Sequence, residues 1–111
     1  FLPGGHVKSG EKAKQALRRE LKEELRLKIK NPEFIGAVEN FYKKMKKQHH
    51  EINLVFYLRS AARDAVSKEG HIQFNWLDIT LLPKTKILPI ALKKNLLHWL
   101  KNKQTFWASQ N

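Results

Sequence analysis

Between Glu11 and Leu25 the chain carries a helix-forming run whose apolar face is interrupted by carboxylates. Ala, Leu, Glu, Lys and Arg dominate the run, and all of them lose little freedom in a helix. At about 100° per residue, Ala13, Ala16, Leu17 and Leu21 define one apolar arc. Glu20 and Glu24 fall roughly 20° to either side of Ala13, inside that arc, and Glu23 stands at its edge. Packing alone gives no reason for this placement, because burying an unpaired charge is costly. A conflict between pattern and packing of this kind marks a functional site.

Three acidic groups on one helix face suit a hard divalent cation, Mg²⁺ or Mn²⁺, held through oxygen ligands. Arg19 stands four residues before Glu23 and can hold that carboxylate in a charge-assisted pair. Taken alone, Arg-Glu-x-x-Glu-Glu is equally the pattern of a solvated helix laced with ion pairs between neighbouring turns.

Composition narrows the classes. A length of 111 residues allows one small domain, and 41% hydrophobic residues suffice for a core. The absence of cysteine excludes disulfide scaffolds, thiol catalysis and cysteine-ligated zinc, and fits a reducing, cytoplasmic compartment. No apolar run approaches the roughly 18–20 residues of a membrane span, so no membrane role is expected. The net charge of +12 favours a polyanionic partner. Six of the ten acidic residues nevertheless lie in the first forty positions, around the carboxylate helix.

Around that helix the chain reads as a mixed α/β layer domain. A glycine-rich loop, Gly4 to Gly10, leads into the helix, with Ser9 or Gly10 as its cap. Strands are expected over Glu33–Tyr42, Glu51–Leu58 and Ile72–Trp76, the last ending near Asp78. Lys43 to Gln48 reads as a basic turn, Ala61 to Gly70 as a polar loop. Pro89 can open a final helix whose Leu92, Leu96, Trp99 and Leu100 recur at helical spacing. Residues 1–103 form the expected single domain, and 104–111 a frayed C-terminal tail. The opening Phe1-Leu2-Pro3-Gly4-Gly5 looks like a strand end entering a turn, so an N-terminal piece is expected to be missing.

The loop and helix together carry a longer pattern. Gly5 is followed after five residues by Glu11, and after seven more by Arg19-Glu20-Leu21. One residue later come Glu23-Glu24, then Arg26-Leu27. This spacing resembles the Nudix hydrolase signature, G-x5-E-x7-R-E-U-x-E-E-x-G-U with U aliphatic. Eight of its nine specified positions agree. At about one in fifteen per charged or glycine position, the six such matches would arise by chance on the order of 10⁻⁷. Arg26 departs from the pattern, standing where the family has a helix-closing glycine. A non-glycine residue there would cost about 1 kcal/mol of local strain.

The resemblance implies an α/β/α sandwich with a mixed sheet, of the α+β kind, whose first strands precede the signature. It also implies metal-dependent hydrolysis of a pyrophosphate bond in a nucleoside diphosphate linked to another group. Carried over by position, Glu20, Glu23 and Glu24 would hold Mg²⁺ or Mn²⁺, joined by the Gly4 carbonyl and supported by Glu11. Arg19 would orient the carboxylates, and Glu23 and Glu24 would act in catalysis. A later-loop carboxylate completes the site in several family members, and Glu69 is the candidate here.

Other features belong to the substrate side. Gly5 and His6 lie where phosphates would sit, and Phe41, Tyr42 and Trp76 offer rings for a nucleobase. Core or sheet packing competes for each ring. His49-His50-Glu51 reads as strand surface, because adjacent strand residues point to opposite faces. Lys43, Lys44, Lys46 and Lys47 form a basic tip that can attract polyphosphate or RNA. The leading expectation is thus a pyrophosphohydrolase for a small nucleotide substrate. The alternatives are an enzyme of RNA 5′ ends, or a non-catalytic nucleotide-binding module or inactive fragment. A homodimer through exposed sheet edges is a further expectation.

Overall fold

The computed structural model describes residues 2–59 and 77–110, which form two compact units. The first comprises 33–57 and 78–110, the second Leu2–Pro32 with Leu58, Arg59 and Leu77. In chain order the elements are α1 (Ala13–Leu25), β1 (Glu33–Lys44), β2 (Lys47–Tyr57), a 3₁₀ turn (Ile79–Lys84), α2 (Ile90–Asn102) and β3 (Phe106–Gln110). The expected strand over Ile72–Trp76 and loop over Ala61–Gly70 lie outside the described residues. Among the described residues, no helix is long and apolar enough to cross a membrane.

In the first unit the sheet order is β2-β1-β3, with β1 antiparallel to β2 and parallel to β3. This mixed sheet with helices is the α+β architecture that the sequence led us to expect. Ile35, Val38 and Val55 from the sheet meet Leu82, Ile87, Leu92 and Trp99 in one buried cluster. The apolar stripe of α2 therefore packs as expected, with Leu96 and Leu100 against the same core. Pro89 is the residue before α2 and not its first turn. At the other end Lys103 closes the helix at φ 57° and sets its ammonium 4.2 Å from the centre of the Trp99 ring.

Two expectations are corrected here. The C-terminal segment is not frayed: Phe106–Gln110 forms β3, pairing Gly36 with Phe106 and Asn40 with Gln110. Gly36 allows this closeness, because a Cβ there would stand 2.5 Å from the Phe106 ring. The basic turn is also shorter than expected. Strand pairing runs out to Lys44 opposite Lys47, leaving Met45 and Lys46 alone as the turn. Both take positive φ, 52° and 64°, the twist that suits a two-residue hairpin. After the undescribed stretch, the Asp78 carboxylate caps the 3₁₀ turn, accepting from the Thr80 N–H at 2.9 Å.

The second unit is organised by α1. Leu21, Leu25, Leu27 and Ile29 form its buried cluster, with Leu17 and Leu58 packed on it. The helix starts at Ala13, two residues later than expected, and Lys12 is its N-cap in place of Ser9 or Gly10. Gln15 accepts a hydrogen bond from the Lys12 N–H at 3.0 Å, satisfying one of the free donors of the first turn. Arg26 ends the helix at φ 55°, ψ 27°, the left-handed conformation that the glycine of the sequence pattern would adopt cheaply. Its N–H donates to the Lys22 carbonyl, and the Leu27 N–H donates to that of Leu21.

Candidate active site

The loop before α1 is tied to the helix by one guanidinium. Arg19 donates from Nε and Nη2 to the two carboxylate oxygens of Glu11 at 2.8 and 2.9 Å. Its Nη1 donates to Glu20 Oε1 at 2.8 Å and reaches Glu23 Oε2 at 3.5 Å. Nη2 also donates to the main-chain carbonyl of His6 at 3.1 Å. A single cation thus joins three carboxylates and the glycine loop. Such multidentate geometry needs the planar fork of arginine.

Electrostatics follow from that geometry. The Arg19 hydrogen bonds, helped by the Lys8 N–H at 3.1 Å, hold the Glu11 carboxyl down at about 2. Glu11 in turn, with Glu20, pushes the Arg19 guanidinium up. Both stay ionised at neutral pH. Glu11 reaches this position from the loop: its own N–H donates to the Lys8 carbonyl, closing a tight turn ahead of α1. Gly10, at φ 81°, supplies the left-handed residue of that turn.

Glu20 is held from a second side. A Cβ on Gly5 would stand 2.5 Å from Glu20 Oε1 and 2.6 Å from Oε2, so the carboxylate occupies the space that any other residue would fill. Glu20 and Glu24 are half-buried on α1, as their place inside the apolar arc implies, while the Glu23 side chain is 59% exposed. Gly4 is half-buried beside the loop. The donor set is all carboxylate and carbonyl oxygen, the chemistry of a Mg²⁺ or Mn²⁺ site. The Gly5 cradle, which only a residue without a Cβ leaves open, fits a carboxylate that must be fixed in place. Among the described residues, no three His, Asp or Glu side chains already share the spacing of an assembled metal centre. Glu11, Glu20 and Glu23 turn instead toward Arg19, whose positive charge lets them share one surface.

The sequence did not reveal the structural use of His6, whose carbonyl and not its ring meets Arg19. Nor did it reveal Lys8, whose N–H steadies Glu11; loop backbone of this kind carries no side-chain signature. Glu69 and Trp76 lie outside the described residues.

Phe41 and Tyr42 belong to the first unit, on β1. Phe41 stacks on His50 with centroids 4.1 Å apart, and Tyr42 on His49 at 5.0 Å. Both rings also wall an open groove of about 430 Å³, together with Asn40, Glu51, Pro89 and Gln110. Gln110 is fixed there by accepting from the Ala91 N–H at 2.6 Å. Asn40, Glu51 and Gln110 are the groove residues that the sequence did not single out, Gln110 because its segment was read as a tail.

Comparison with known proteins adds independent findings. A family model described as the NUDIX domain matches residues 1–100. An 8-oxo-dGTP diphosphatase of Buchnera aphidicola subsp. Schizaphis graminum (strain Sg) is 38% identical over 77 residues. That stretch is 68% of this chain and 53% of the relative, so the match spans about half the relative's length. No solved structure matches the chain significantly.

Proposed function

The chain belongs to the NUDIX family, and from that premise we propose that it acts as a divalent-metal-dependent pyrophosphohydrolase of a small nucleotide. The observation that carries this reading is the Arg19 hub, which gathers Glu11, Glu20 and Glu23 around one guanidinium. Nucleoside triphosphates head the substrate classes, because the matched relative is named for a nucleotide of that kind, 8-oxo-dGTP.

Glu20, Glu23 and Glu24 would hold Mg²⁺ or Mn²⁺, with the Gly4 carbonyl as a further donor and Glu11 in support. When bound, the cation supplies charge against the phosphates and makes water a better nucleophile at neutral pH. The chain's own part is positioning. Arg19 fixes Glu11 and Glu20 against the loop, and Gly5 lets the Glu20 carboxylate lie against the backbone. With charge held this way before substrate arrives, little reorganisation remains for the reaction itself. His6 would meet the phosphates, and Glu69 would add a late carboxylate.

The reading is tested by incubating full-length protein and Mg²⁺ or Mn²⁺ with a nucleotide panel that includes 8-oxo-dGTP. Metal-dependent release of pyrophosphate or phosphate is expected, and Glu23→Gln or Glu24→Gln should abolish it while the circular dichroism stays unchanged. A panel without turnover, or turnover that survives both substitutions, refutes it.

A further inference from the structure

Beyond β3, among the described residues, β1 and β2 pair only with each other. β3 pairs with β1 only from Gly36 to Asn40, so Phe41 to Lys44 have β2 as their one partner strand among the described residues. The hairpin therefore ends in a two-stranded ribbon, from Phe41 opposite His50 to Lys44 opposite Lys47. Pairing up to the two-residue turn makes this a stiff element and not a loose loop.

The ribbon has one sign of charge. From Phe41 to His50 the sequence holds Lys43, Lys44, Lys46 and Lys47, two histidines and no acidic residue. All four lysines are exposed. Lys44 and Lys47 face each other directly across the strands, a pairing of like charges that weakens a hairpin. An anion lying between the two would turn the repulsion into attraction. Just behind the lysines stand the Tyr42–His49 and Phe41–His50 stacks. Aromatic planes beside a row of cations are the parts used to hold unpaired bases and their phosphates.

We propose that this ribbon is a nucleic-acid-binding arm that grips the phosphate backbone of a single strand, with Tyr42 and its neighbours as the stacking platform. A membrane surface fits less well. Met45, 88% exposed, is the single aliphatic side chain at the tip, and an interfacial element needs a broad apolar face beneath its charges. The arm is built from residues other than the carboxylate helix, so it does not depend on the hydrolase reading.

The experiment uses a fluorescein-labelled single-stranded oligonucleotide, made as RNA and as DNA, with full-length protein in EDTA. Anisotropy is followed at rising KCl. Lys44→Gln/Lys46→Gln/Lys47→Gln is compared with Lys93→Gln/Lys94→Gln/Lys101→Gln, which removes the same charge from α2. The arm variant should bind at least about tenfold more weakly at low salt, and its log–log salt slope should be shallower by roughly 2. The α2 variant should stay within about twofold of the parent. Equal losses in the two variants would mean overall charge alone and overturn the proposal. So would vesicles of phosphatidylcholine and phosphatidylserine that need the arm lysines while the oligonucleotide does not. Should the triple arm variant lose its circular dichroism, Lys44→Gln/Lys47→Gln decides the matter, since it removes a repulsive pair and should fold. Undiminished oligonucleotide binding by that pair variant would overturn the proposal, and weakened binding would support it. The same titration with Glu23→Gln should match the parent.

Discussion

Arg19 grips Glu11 with two hydrogen bonds of 2.8 and 2.9 Å, joining the middle of α1 to the residue just ahead of its N-cap. The same guanidinium then reaches Glu20 at 2.8 Å. The loop and the carboxylates are thus placed by one side chain. Arg19→Lys keeps the charge but loses the fork, since an ammonium cannot bridge both oxygens of Glu11 and still reach Glu20. A fall of about 10- to 100-fold in kcat or in metal affinity is expected, with unchanged circular dichroism. Steady-state kinetics at saturating Mn²⁺ measure it.

Much of this arrangement was legible in the sequence. The position of Glu20 and Glu24 inside an apolar arc required only helix geometry, and both are half-buried. The start of α1 was less legible. Glu11 looks like a first-turn acid, but its carboxylate is taken by Arg19 and the Lys8 N–H, which hold it in the loop. β3 was illegible for a different reason. Its partner β1 lies some seventy residues earlier, and five residues of alternating burial carry no sign of such a distant pairing. Gly36 inside a strand was the available hint, since a missing side chain there marks close approach by a neighbour.

The packing of Gly5 against Glu20 predicts a coupled pair. Gly5→Ala forces a methyl group into the carboxylate and should destabilise the protein by about 1–3 kcal/mol. In a Glu20→Ala background the same substitution should cost little. Urea denaturation of the four proteins gives the coupling as a double-mutant cycle. Equal costs in both backgrounds would place the strain elsewhere.

Arg26 pays the left-handed cost without a glycine. Arg26→Gly should therefore raise stability by about 1 kcal/mol, which for a domain of this size is a Tm increase of roughly 4 °C. Its backbone closes the helix and its side chain is exposed, so kcat should stay the same. Calorimetry and a turnover assay check both halves.

Glu39 sits on β1 between the two neighbouring strands, bonded to His50 Nε2 at 2.7 Å and to the Ser109 hydroxyl at 3.0 Å. The His50 hydrogen bond, then that of Ser109, holds its carboxyl below the usual range. A group whose pKa is lowered by folding contributes stability above its unfolded pKa and loses it as pH falls through the folded one. The link between the three strands is therefore present near neutral pH and disappears in acid. Glu39→Gln should lower Tm at about pH 7 and make little difference well below about pH 4. A thermal melt series across that range reads the slope.

On this account Glu20 and Glu23, ordered by Arg19, form a divalent-cation site together with Glu24. Its most direct test is titration of the full-length protein with Mn²⁺, following the free-ion signal by electron paramagnetic resonance. The parent protein should remove Mn²⁺ from solution at saturable sites, and Glu20→Gln, Glu23→Gln and Glu24→Gln should each weaken that uptake at least about tenfold. Uptake equally strong in all four proteins, or none in the parent, would contradict it.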